Sequence, residues 1–62
     1  MKEFYVGQPV KHIKLELIDA VYVGRDSNGK IKVIHVVDKP MGVIMATDYY
    51  DEEFIVNAGS PE

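Results

Sequence analysis

Ile18-Asp19-Ala20-Val21-Tyr22-Val23-Gly24-Arg25-Asp26-Ser27-Asn28-Gly29-Lys30-Ile31-Lys32-Val33-Ile34-His35-Val36-Val37 is two runs rich in β-branched residues, joined by Asp26-Ser27-Asn28-Gly29. β-Branched side chains suit a pleated, half-buried strand and crowd a helix. The joining residues have the chemistry of a type I turn closed by a left-handed glycine. Asp accepts hydrogen bonds from the backbone ahead of it, Asn tolerates the bridge region, and Gly takes positive φ with no Cβ penalty. The stretch therefore predicts a β-hairpin, and the hairpin predicts a small all-β protein. Setting Asp26 opposite Lys30 gives a register. Val23 then faces Val33 and Val21 faces His35 on one side, while Tyr22 faces Ile34 and Ala20 faces Val36 on the other. Both faces read as apolar. Two arrangements accommodate this: a hairpin bent so that its ends bury opposite faces, or a face covered by a second subunit.

The chain has 62 residues, near the lower limit at which a core folds without a disulfide or a metal. A single domain over residues 1–62 is expected, with 58–62 as a frayed tail. The absence of cysteine excludes a disulfide framework and a thiolate metal site. Hydrophobic residues make up 47% of the chain, too many for a disordered one. No apolar run approaches the length of a membrane span, and residues 1–9 contain no signal-peptide h-region, so a soluble, cytoplasmic protein with no membrane partner is expected. Net charge is −3 and is unevenly placed. Lys2, Lys11, Lys14, Arg25, Lys30, Lys32 and Lys39 all precede Pro40, whereas Asp48, Asp51, Glu52, Glu53 and Glu62 are the only charges after it. A phosphate backbone repels an acidic chain unless its cations converge on one face, which disfavours nucleic acid as a partner.

Outside the hairpin, residues 10–17 set Ile13, Leu15 and Leu17 against Lys14 and Glu16, the alternation of a first strand entered at Pro9. Lys39-Pro40-Met41-Gly42 ends the hairpin, residues 43–47 give a short fourth strand, and residues 48–53 give one helical or 3-10 turn with Asp48 as N-cap. Residues 54–56 supply a fifth strand. Five strands, the entry segment Phe4-Tyr5-Val6-Gly7-Gln8-Pro9-Val10, a long bent central hairpin and a short turn before the last strand together resemble the SH3-like small barrels, including the KOW- and Tudor-type modules. The resemblance spans about residues 4–57 and implies a five-stranded antiparallel SH3-like barrel with one short 3-10 or helical turn before the last strand. It carries no function with it. The chain has no tryptophan, lacks the Ala-Leu-Tyr-Asp-Tyr run of peptide-binding SH3 domains, and is not basic as nucleic-acid-binding KOW modules usually are.

Among candidate functional groups, Asp48-Tyr49-Tyr50-Asp51-Glu52-Glu53 sets two rigid rings among four carboxylates, an anchor suited to a basic protein surface. The plainer alternative is that one tyrosine packs on the barrel and the acids form a solvated turn. The spacing is not that of a calcium loop. His12 and His35 lack zinc-ligand spacing, and His35, inside an apolar strand, is expected to bond to backbone. Ser27 and Ser60 have no neighbouring base, so catalysis and a cofactor are not expected. Lys11, Lys14, Arg25, Lys30 and Lys32, with Tyr5 and Tyr22 as stacking rings, form the alternative nucleic-acid face, although Glu16, Asp19, Asp26 and Asp38 are interspersed among them. By analogy with Tudor modules, Tyr22, Tyr49, Tyr50 and Phe54 make an aromatic cage if they converge. Met41, Val43 and Met45 lie in a run with no charge between Lys39 and Asp48, which is either core or an edge that pairs with another chain, as in a homodimer.

These residues read as a small non-catalytic protein-binding module or inhibitor, acting on a partner with a basic surface through the acidic tyrosine turn. Proteins of this size that block host machinery are frequent in phage genomes, an association and not a deduction from these residues. The alternative is a KOW-like accessory protein of nucleic acid.

Overall fold

The computed structural model describes residues 2–59. The chain is all-β, with β1 (Val10–His12), β2 (Ile18–Arg25), β3 (Ile31–Lys39), β4 (Gly42–Tyr50), a 3-10 turn (Glu52–Phe54) and β5 (Ile55–Asn57). The five strands form two antiparallel sheets, one of order β2-β3-β4 and one of β1 with β5. A bridge between Pro9 and Val21 ties the sheets together, flanked by Gly7 N–H donating to Tyr22 O at 2.8 Å and Tyr22 N–H donating to Gln8 O at 2.9 Å. Among the described residues the strands do not close into a barrel, and β4 is an edge.

The hairpin turn forms as its residue types require. Asp26 Oδ1 accepts from Asn28 N–H and Lys30 N–H, both at 2.9 Å, Asp26 N–H donates to Lys30 O, and Gly29 sits at φ 83°. The register near the turn also follows, with Arg25 opposite Ile31 and Gly24 opposite Lys32. Beyond Gly24 it slips: Tyr22 opposes Val33 and not Ile34, Val21 opposes Ile34 and not His35, and Ile18 opposes Val36. Two β-bulges cause the slips, one after Tyr22 and one after Ile18, beside Gly24 at φ 140° and Asp19 at φ 51°. The slip brings the Tyr22 ring to the face that carries Ile31 and Val33, so the largest side chain of β2 reaches the core. Val21, Ile34 and Val36, on the other face, are half-buried among their neighbours.

Three further expectations are corrected. The first strand stops at His12, because Nδ1 of that ring accepts from Lys14 N–H and Leu15 N–H, each at 3.0 Å, and turns the backbone out of the ladder. Ile13 and Leu15 are consequently exposed, and only Leu17 of the alternating set packs on the core. β4 continues to Tyr50, pairing without a break from Lys39 opposite Gly42 to Ile31 opposite Tyr50. Asp48 therefore lies inside a strand and caps nothing; Asp51 holds the N-cap position of the 3-10 turn, with no side-chain cap bond. Pairing with the buried residues of β3 overrides the turn preference of Asp48. The last strand begins one residue later than expected.

The core is small: Val10, Ala20, Tyr22, Ile31, Val33 and Ile55, with Phe4, Leu17 and Tyr50 packed against it. The Phe4 and Tyr22 ring centroids are 5.4 Å apart. Ala58 N–H donates to Pro9 O, tying the chain after β5 to the start of β1; the rest of the expected tail, residues 60–62, lies outside the described residues. No helix among the described residues is long and apolar enough to cross a membrane.

Candidate functional site

Strand alternation separates the two adjacent tyrosines. Tyr50, opposite Ile31, turns toward the core and meets the edge of the His12 ring at 4.9 Å, whereas Tyr49, opposite Lys32, stands on the outer face and is 47% exposed. Burial, assisted by the Asp48 carboxylate, raises the Tyr50 phenol above the ordinary tyrosine value.

The carboxylates that follow in sequence are not a single-sign patch in space. Asp51 Oδ1 lies 3.0 Å from Lys30 Nζ, and Glu52 Oε1 lies 2.9 Å from Arg25 Nη1. Glu52 also accepts from Lys2 N–H; the Arg25 hydrogen bond and then this backbone donor hold its carboxyl below the ordinary value. Asp48 Oδ2 lies 2.7 Å from His35 Nε2, and because an ionised carboxylate only accepts, the ring N–H donates. This replaces the backbone bond expected for His35. His35 faces Ala46, two residues from Asp48 along β4, the diagonal neighbour geometry of an antiparallel pair. Glu53 makes no ion pair among the described residues.

The same pairing takes up Arg25 and Lys30 of the basic set. Arg25 donates to Gly29 O and Lys2 O besides meeting Glu52, and Lys14 Nζ lies 5.2 Å from the Phe54 ring centroid. Lys11 is on the two-stranded sheet and Lys32 is on the three-stranded one. Tyr22 is buried and unavailable for stacking, although Tyr5 is exposed. The aromatic cage does not assemble either. Tyr22 packs with Phe4, Tyr50 and Phe54 both flank His12, and Tyr49 stands alone on the outer face. Among the described residues no cluster of three or more His, Asp or Glu side chains is placed to hold a metal.

The chain does concentrate exposed apolar area at the far end of the β3–β4 hairpin. Met41 is 98% exposed, and Val43, Ile44 and Met45 are each about half exposed or more, as is Ile18 of β2, which Val36 of β3 separates from Met45. Lys39, Pro40, Met41, Gly42, Val43 and Ile44 line a shallow groove there. Sequence reasoning singled out Met41, Val43 and Met45 within the uncharged run; Ile44 lies in the same run, and its face is decided by its position opposite Val37. β4 thus runs from this apolar tip to Tyr49 along a free edge. Comparison of the chain with protein-family models, curated proteins and solved structures returns no match.

Proposed function

We propose that this chain is a non-catalytic protein-binding module built on the SH3-like plan, and that its binding element is β4. A meander of three strands, a 3-10 turn and a last strand returning to pair with the first is the chain path that supports the SH3-like reading. One observation carries the functional reading: among the described residues a nine-residue strand pairs on one side only, and Val43, Ile44, Met45 and Tyr49 are exposed along it. An edge of this length and apolarity is a template for strand addition, in which main-chain hydrogen bonds supply affinity and side-chain contacts supply choice. Tyr49 is the aromatic anchor, and Asp48 and Glu53 supply the acidic rim that a basic partner surface complements. Asp51 and Glu52, held by Lys30 and Arg25, serve the fold.

A photo-reactive residue at position 45, compared with one at position 28 in the remote hairpin turn, tests this in the producing cell. Protein adducts at position 45 well above those at position 28 are expected. Equal yields at the two positions refute β4 as the binding element.

A further inference from the structure

We propose that the occupant of the free β4 edge is a second copy of β4, paired antiparallel about a two-fold axis at Met45. The inference rests on the reading of β4 as a binding edge and names its partner. Among the described residues the core that one chain assembles has six buried apolar residues, while Met41, Val43, Ile44 and Met45 stay outside it. For a chain of this size with no cysteine, a second subunit is one of the established ways to cover such a surplus.

The register follows from symmetry and charge. A two-fold axis perpendicular to a sheet must pass through a pair of identical residues, since directly opposed residues share a face. With the axis at Met45, Met45 meets its own copy, Ile44 meets Ala46, Val43 meets Thr47, Met41 meets Tyr49, and Gly42 meets Asp48 of the other chain. Each of the first four contacts is between uncharged side chains. A shift to Ala46 would set Ile44 against Asp48, a shift to Ile44 would move Asp48 from Gly42 to the turn residue Pro40 and away from Lys39, and a shift to Val43 would leave Ala46 and Thr47 opposite the turn residues Pro40 and Lys39.

The charged ends then complement each other. Lys39 opposes Gly42 in the β3–β4 ladder, so it lies on the face that Gly42 shares with Asp48 of the second chain. Lys39 and that Asp48 are two strand spacings apart, about 10 Å between Cα atoms. Extended lysine and aspartate side chains together span about 10 Å, and Gly42 puts no side chain between them. Lys39 makes no ion pair among the described residues, and Asp48 engages His35 through Oδ2, leaving Oδ1 to accept. The symmetry makes this contact twice, at the two ends of an uncharged interface, and the two three-stranded sheets become one of six strands.

Sedimentation of the purified chain tests the proposal through charge reversal. The wild type is expected to dimerise reversibly. Lys39→Asp and Asp48→Lys each place like charges at both ends and are expected to weaken self-association about tenfold or more. An equimolar mixture of the two variants restores both attractive pairs and is expected to form a heterodimer as tightly as the wild type associates. Because Asp48→Lys also removes the His35 bond, its folding is checked by thermal melting. Val43→Lys, which touches neither charged pair, is expected to be monomeric, and Val43→Thr to remain dimeric. A wild type that stays monomeric to about 100 μM overturns the proposal, as does a dimer that the charge reversals and Val43→Lys leave unchanged. Protein adducts at position 45 of a monomeric chain would keep β4 as a binding edge while removing its self-partner, so the two readings fail separately.

Discussion

The adjacent tyrosines offer a direct measurement of how strand alternation divides structure from function. Tyr50→Ala removes a ring that packs on the core and meets His12 edge-on at 4.9 Å with an interplanar angle of 72°. Truncating a fully buried large aromatic costs about 3–5 kcal/mol. A partly buried one loses roughly half of that, so about 2 kcal/mol is expected, of which the edge contact supplies about 0.5–1 kcal/mol. In a domain near 60 residues, each 1 kcal/mol moves the melting temperature by about 4–8 °C, and the variant should melt about 8–16 °C below the wild type. Tyr49→Ala alters an outer-face residue and should stay within about 0.5 kcal/mol. Thermal melting followed by far-ultraviolet circular dichroism reads both values, and Tyr50→Phe, which keeps the ring, should lie close to the wild type. In binding, the order reverses: Tyr49→Ala is the variant that reduces adduct formation at position 45. Equal losses of stability from the two alanine variants would show that the two rings do not stand on opposite faces, and the assignment of Tyr49 as an anchor would fall with it.

Gly29→Val should cost about 1–2 kcal/mol, since a Cβ there meets nothing within 4 Å and the penalty is that of φ 83° for a β-branched residue. Gly29→Asn should cost less, and equal urea midpoints for the two variants would show that the left-handed conformation is not the constraint. Glu52 has a folded-state pKa below the ordinary value of 4.5, so its contribution to stability is present above that value and fades as pH falls through the lower folded one. Urea midpoints measured from about pH 5 to about pH 3 should therefore fall less steeply for Glu52→Gln than for the wild type; parallel slopes would remove Glu52 from the acid response. Reversing Asp51 or Glu52 to lysine sets like charge against Lys30 or Arg25 and should lower the melting temperature more than Glu53→Lys does, a ranking that thermal melts of the three variants check directly.

Some of this was legible along the chain because the cause is local. Asp26, Asn28 and Gly29 satisfy a turn through bonds that span four residues at most, so their chemistry is complete within the segment. The uncharged run around Val43 was equally visible as an edge or a core strand. That it is an edge depends on where β5 goes, and β5 pairs with β1. The acidic run illustrates the opposite limit. Asp51 and Glu52 read as a patch in sequence, yet the cations that neutralise them are Lys30 and Arg25, more than twenty residues earlier, and a further hydrogen bond to Glu52 comes from the backbone N–H of Lys2.

Residue types alone determined that the chain is all-β and where its central hairpin turns; that the adjacent tyrosines stand in a strand, and so part company, came from the pairing of β4 with β3. Tertiary structure decided the rest of the register, the end of the first strand and the pairing of the charges. Bulges beside Asp19 and Gly24 each add one residue to β2, and one residue is enough to exchange the faces of a strand. No local preference selects such a bulge over a straight ladder. Burial does, by bringing Tyr22 opposite Val33, where the core formed with Val10 and Ile55 of the other sheet receives it.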